Sequence, residues 1–191
     1  EVSLLRLRPP LSSAVEETIL SHAELVFNLF EGFEAWPDTE WLFAKALHSA
    51  GCPFTGAPSE TLALCLNKAL TKHLLMALRI PTPDFQLLDS ISVEQFTLGF
   101  PAIVKPLKED ASHGIDSHSV VHDMPSLKTQ VSAISDKYGG PALVESFLSG
   151  REFSVSILGG PTPRVLPISE MTFSQDAPGS RIVTFAAKWL S

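Results

Sequence analysis

Lys105 ends an apolar run, Phe100-Pro101-Ala102-Ile103-Val104-Lys105-Pro106. A lysine in that position must send its ammonium into a polar site, because burying it unpaired is very costly. It either marks a strand end at the surface or reaches for an anion. Lys68 and Lys72 stand four residues apart in a helical stretch, where like charges repel by roughly a few tenths of a kcal/mol. An anionic partner would reverse that repulsion, and a solvated helix face would tolerate it. Glu145 and Glu152 bracket Phe147-Leu148-Ser149-Gly150. Carboxylates beside a turn accept hydrogen bonds from a base amino group or from ribose hydroxyls, and the turn's own backbone reads a ring edge. The same acids would also suit a plain surface beside Arg151. Glu109-Asp110-Ala111-Ser112-His113-Gly114-Ile115 suits a loop whose backbone N–H groups face phosphates.

The elements that must position these groups are legible in outline. His22 to Leu29 is an apolar run of strand length, and Asp38 to Ser49 reads as a helix before the turn Gly51-Cys52-Pro53-Phe54-Thr55-Gly56. Ser59 to Leu78 reads as one long helix with Ser59 as N-cap, Glu60 in the first turn, and a stripe of Leu62, Leu66, Leu70 and Leu74. Ile80-Pro81-Thr82-Pro83 stops it, because two prolines cannot continue a helix, and makes a natural hinge. Strands follow at 100–106 and 142–148, with a helix over 124–138 between them. Phe153, Val155 and Ile157 alternate with polar residues as in a half-buried strand, and Arg181 to Ala186 reads as a last strand. Strands and helices in alternation indicate α/β layering.

Composition narrows the function classes. Hydrophobic residues make up 45% of the 191-residue chain and charged residues 18%, the profile of a folded domain. A net charge of −7 argues against nucleic acid, whose phosphates demand clustered cations. Small molecules and proteins remain as partners. Cys52 and Cys65 suggest neither a zinc site nor a disulfide framework. No apolar run approaches the roughly 20 residues needed to cross a bilayer, and Glu1-Val2-Ser3-Leu4-Leu5-Arg6 lacks the features of a signal peptide, so a cytoplasmic location is expected. His118 and His122 flank a strand-like Ser119-Val120-Val121 and are expected to face solvent; Trp36, Trp41 and Trp189 are expected to pack.

The order of the motifs carries more than any one of them. Gly51 to Gly56, Asn67-Lys68-Ala69-Leu70-Thr71-Lys72, Ile80 to Pro83, Phe100 to Pro106, Glu109 to Gly114, Val144-Glu145-Ser146-Phe147-Leu148-Ser149-Gly150-Arg151-Glu152-Phe153 and Ala187-Lys188-Trp189-Leu190-Ser191 together resemble the D-alanine–D-alanine ligase family over roughly residues 22 to 191. The resemblance implies an α/β ATP-grasp fold, partial, with a reduced amino-terminal α/β domain over 1–66, a small ATP-grasp lobe over 67–150 and the start of the large lobe over 151–191.

It also implies roles for single residues. Lys68 and Lys105 match lysines that contact ATP phosphates, and Lys188 a further one. Glu145 matches the acid near the adenine amino group, Leu148 a backbone contact to the ring, and Glu152 the ribose-binding acid. Ser112 and Gly114 lie in the loop that closes over the phosphates. The implied reaction is ATP-dependent joining of two amino acids through an acyl phosphate, with magnesium, as in peptidoglycan biosynthesis, and a homodimer by the same resemblance. Another amino-acid or peptide ligase of this fold, or a non-catalytic nucleotide-binding module, are the alternatives.

Three features depart from the family pattern. The loop at 109–114 is poorer in glycine and serine than usual, Glu31-Gly32 replaces a His-Gly pair, and Asn67 stands where Asp is common. The family's magnesium ligands lie downstream of the position matching Ser191, so none is assigned here and the chain is expected to be incomplete at its carboxyl end.

Overall fold

The computed structural model describes residues 1–33, 36–173 and 181–190. The chain forms two compact units, Glu1–Thr82 with Pro106–His113, and Pro83–Lys105 with Gly114–Ser191.

The first unit is helical. It contains α1 (Leu11–Leu20), α2 (Thr39–Ser49), α3 (Ser59–Leu66) and α4 (Lys68–Ala77). Helix α2 buries Phe43, Ala44 and Leu47 on one face, and the Phe43 ring meets Phe30 edge-on at 4.9 Å. Residues 22–29 were expected as a strand, but they form only one parallel bridge, Val26 with Phe54. Val26 N donates to the Pro53 carbonyl and Thr55 N to the Val26 carbonyl, both at 2.9 Å. A run of strand-forming residues becomes a strand only where a neighbour satisfies successive backbone groups, and here pairing stops after one residue. Leu25, Phe27 and Leu29 stay exposed.

The single helix expected over 59–78 is two helices. Asn67, at φ −89° and ψ 94°, breaks the chain and caps α4, its side chain accepting a hydrogen bond from Leu70 N at 3.2 Å. Asparagine's short amide competes for backbone groups and favours such a cap over a helix interior. Ser59 is the first helical residue, after Pro58, rather than the cap. The expected leucine stripe is divided with the helix: Leu66 is buried, while Leu70 and Leu74 are exposed.

The second unit is built on a four-stranded sheet. Its elements are β1 (Phe85–Leu88), β2 (Ala102–Pro106), β3 (Val120–Val121), α5 (Met124–Tyr138) and β4 (Ala142–Ser146), with strand order β1-β4-β2-β3. Helix α5 begins at Asp123, whose side chain accepts from Ser126 N at 2.8 Å, and ends at Gly139 with φ 73°, a left-handed stop that glycine adopts freely. Leu127, Val131 and Ile134 line one face of α5 and pack with Leu88, Ala102, Val104, Val121, Ala142 and Val144. Side chains alternate across a strand, so Ile103, Lys105, Leu143 and Glu145 lie on the sheet face turned away from α5. Full burial of such apolar side chains contributes about 1.5–3 kcal/mol each, which makes this sheet a firm platform.

Beyond the sheet come β5 (Glu152–Ser154), β6 (Ile157–Leu158), β7 (Arg164–Val165), β8 (Ser169–Met171) and α6 (Phe185–Trp189). Antiparallel pairs β5–β8 and β6–β7 form two small ladders. The expected half-burial of Phe153, Val155 and Ile157 is not met: all three are exposed. The strand expected over 181–186 gives way to α6, because Thr184 caps a helix by accepting from Ala187 N at 3.2 Å. Trp36 and Trp189, expected to pack, are about half exposed, at 58% and 50%. His118 and His122 are exposed, as expected. Ser191, the last residue of the motif at 187–191, lies outside the described residues.

Candidate functional site

Two lysines expected to meet anions are held by different means. In the second unit, Lys105 and Glu145 end the neighbouring strands β2 and β4 on the same sheet face, with Lys105 Nζ 2.5 Å from Glu145 Oε2. The Glu145 residue is only 6% exposed. Removing a carboxylate from water is repaid here by a charged hydrogen bond, which holds the half-buried Lys105 ammonium at the end of the sheet. Strand parity explains the meeting: each residue follows an inward Val, Val104 and Val144.

In the first unit, Lys68 opens α4. Its Nζ donates to the Glu109 carbonyl, and its backbone N donates to the Leu107 carbonyl at 3.2 Å. Lys68 thus fastens the start of the 109–113 loop to α4. The loop itself is bent sharply: Ala111 and Ser112 adopt φ of 46° and 64°, followed by Gly114 at 73°. Left-handed backbone at a non-glycine residue costs on the order of 1–3 kcal/mol and recurs at ligand clamps. Successive N–H groups in turns of this kind form anion-binding concavities. His113 N donates to the Asp110 carbonyl at 2.8 Å, and His113 Nδ1 lies 3.4 Å from Glu109 Oε2. Burial raises the Glu109 carboxyl above its ordinary range, with His113 and Lys68 pulling the other way.

Lys72, read with Lys68 as one cationic face, is not on that face. It is buried at 5% exposure, and its Nζ donates to Thr82 Oγ1 at 2.7 Å. It ties α4 to the proline-bounded segment 81–83, where the chain leaves the first unit.

The other sequence-derived residues are more open. Leu148 is exposed just past β4, Glu152 is exposed in β5 opposite Met171, and Lys188 is exposed in α6. Arg151, the neighbour weighed for the two acids, instead forks onto Glu170 with two bonds of 2.7 Å. Helix α6 is joined to the loop's far end by Phe185 N donating to the Ile115 carbonyl at 3.0 Å.

Sequence reasoning missed the direct bond between Lys105 and Glu145, although their matching strand parity was available to signal it. It also missed Glu40 in the first turn of α2. Burial and the neighbouring carboxyls of Asp110 and Glu31 push the Glu40 carboxyl up to about 7. The signal was the unusually acidic loop Glu109-Asp110. Among the described residues no group of three or more His, Cys, Asp or Glu side chains could hold a metal ion, so these side chains do not make up the implied magnesium site. No helix among them is long and apolar enough to cross a membrane.

Residues 74–190 match a family model described as the D-ala D-ala ligase C-terminus. An uncharacterized protein, y4sG, of Sinorhizobium fredii is 34% identical over 171 residues, covering 87% of this chain and 48% of that protein. A D-alanine–D-alanine ligase of Xylella fastidiosa is 32% identical over 168 residues, covering 83% and 53%. The crystal structure of D-alanine–D-alanine ligase from Helicobacter pylori matches with a TM-score of 0.62 at 25% identity, covering 83% of this chain and 49% of that one. The chain spans about half the length of the curated relatives it matches.

Proposed function

This chain belongs to the D-alanine–D-alanine ligase family and has a partial α/β ATP-grasp fold, and from that premise we propose that it holds ATP for an amino-acid ligase. The observation that carries the reading is the Lys105–Glu145 pair, a fixed cation and a buried carboxylate at the ends of adjacent strands. It supplies the two things a nucleotide needs at once, a positive charge for phosphate and an acceptor for the amino group of the base. A second count in favour of ATP is the left-handed turn at Ser112 and Gly114 in the loop, a backbone shape suited to phosphate.

In this reading Lys68, Lys105 and Lys188 draw the phosphates, Glu145 and the backbone at Leu148 receive the adenine, and Glu152 receives the ribose. Ser112 and Gly114 belong to the loop that covers the phosphates. The whole protein's reaction is formation of a C–N bond between two amino acids. A carboxylate oxygen of the first attacks the γ-phosphorus and ADP leaves. The amine of the second then attacks the acyl carbon, phosphate leaves, and the amine gives up a proton. The chain's part is positioning and charge neutralisation, the two effects that dominate phosphoryl transfer. D-Alanine, peptidoglycan biosynthesis, magnesium dependence, a cytoplasmic location and a homodimer follow from family membership and stand as parts of the proposal.

Titrating ATP while following backbone amide resonances tests it. Shifts are expected at 105–114 and 145–152, with smaller ones on adding inosine triphosphate, which lacks the base amino group. Shifts scattered over the surface, or none at saturating nucleotide, would refute the assignment.

A further inference from the structure

Glu152, the acid assigned to ribose, stands in a part of the second unit that packing does not steady. Strand β5 runs from Glu152 to Ser154 and β8 from Ser169 to Met171, and every residue of both is exposed. Two short strands without cover are only marginally ordered by their own backbone bonds. Something else must decide where the Glu152 carboxylate goes.

The register assigns the faces. Phe153 lies opposite Glu170, and Glu152 lies opposite Met171. Side chains alternate across a strand, so Phe153 and Glu170 share one face, and Glu152 takes the other with Met171. Arg151, on the far side of Glu152 in sequence, joins the first group. Its guanidinium sits 4.7 Å from the centre of the Phe153 ring. It also forks onto the Glu170 carboxylate, Nε to Oε1 and Nη2 to Oε2, each at 2.7 Å. Both sequence neighbours of Glu152 are therefore held on the face that Glu152 does not occupy.

An exposed ion pair adds little to folding stability, so stability is not what this one is suited to. Two parallel bonds to a planar guanidinium fix an orientation as well as a distance, and the ring beneath the cation restrains it further. The same fork turns the guanidinium away from the acid beside it, leaving the Glu152 charge uncancelled for hydroxyl donors.

We propose that Arg151 and Glu170 are positioning residues for nucleotide recognition: their fork, stacked on Phe153, holds Glu152 on the opposite face of the β5–β8 ladder with its carboxylate turned to the ribose hydroxyls. The role rests on the ribose assignment of Glu152. All four residues belong to the second unit.

Calorimetric titration with ATP and with its dideoxy analogue, which lacks both ribose hydroxyls, reads the role as a ratio of affinities. Hydrogen bonds to a charged group predict a wild-type preference for ATP of about tenfold or more, and Glu152→Ala should bring the ratio near one. Arg151→Met and Glu170→Met should each lower it severalfold, and the double variant no further than either alone, because the fork acts as a unit. Should one of the two fold poorly, the other carries the test. A purely structural role would weaken both nucleotides alike and leave the ratio untouched. Lys128→Met, which breaks the exposed pair with Glu94, should also leave it untouched. A ratio unchanged in Arg151→Met or in Glu170→Met, or lowered as far by Lys128→Met, would overturn the positioning role and spare the ribose assignment. A wild-type ratio near one, or a preference that survives Glu152→Ala, would refute the ribose assignment and the positioning role with it.

Discussion

The four-stranded sheet and the two ladders that follow it are built from similar residues and end differently. Strands β2 and β4 place alternate side chains against α5, and their apolar positions are buried on both faces. In the ladders, Phe153, Ile157 and Val165 show the same preference for β structure yet remain 47% to 63% exposed. Alternation in a sequence specifies which face of a strand is apolar. Whether that face is covered depends on another element, and α5 covers the first sheet because its Leu127, Val131 and Ile134 recur at helical spacing. The candidate nucleotide pair rests on the covered sheet. The exposed Glu152 rests on the other, so in the proposed site the phosphate and adenine ends have a firmer base than the ribose end.

The largest expected effect falls on the covered sheet. Leu127→Ala should cost about 3 kcal/mol in urea unfolding, the usual range for a fully buried leucine, whereas Ile157→Ala should stay within about 0.5 kcal/mol. Equal losses would erase the contrast between the two regions. Next comes the ion pair: Lys105→Met leaves the Glu145 carboxylate buried without its ammonium and should cost about 2 kcal/mol, less than a fully buried pair because Lys105 is partly open to water. Adding Glu145→Gln to that variant should recover most of the loss; no recovery would mean that the pair is not a unit.

A smaller effect concerns pH. The Glu40 carboxyl is raised in the folded protein, chiefly by burial and then by Asp110. The folded state therefore keeps a proton that the unfolded chain releases, and stability should decline from the ordinary value of 4.5 to about 7 and be level above it. With allowance for screening at a half-exposed site, the decline should be on the order of 1 kcal/mol. Thermal melts at a series of pH values should show it in the wild type and not in Glu40→Gln. Asn67→Ala removes the cap of α4 and should cost up to about 1 kcal/mol; helicity unchanged together with unchanged stability would deny Asn67 that role.

Strands β2 and β4, α2 and α5 were legible because each carries an unmixed local signal, such as the apolar run ending at Lys105, Asp123 before Met124 and Gly139 after Tyr138, whereas β1 (Phe85–Leu88) was not anticipated. The break at Asn67 was hidden by leucines on both sides that fit one continuous stripe. Residues 22–29 misled because strand propensity is silent about partners, and 181–186 because Thr184, a good strand former, caps a helix instead. The candidate site was proposed as a list of residues from their order along the chain. Its contacts were not. The bond between Lys105 and Glu145 joins residues 40 apart, and Asp110, which raises the Glu40 carboxyl, stands on a loop distant from it in sequence. Each depends on the fold rather than on spacing.

The central claim is that the cation held at the end of β2 grips a nucleotide. Calorimetric titration of ATP into the wild type and into Lys105→Ala tests it most directly. Binding to the wild type with about tenfold weaker affinity in the variant, near 1.4 kcal/mol, is the result expected. Equal affinity in the two proteins would contradict it.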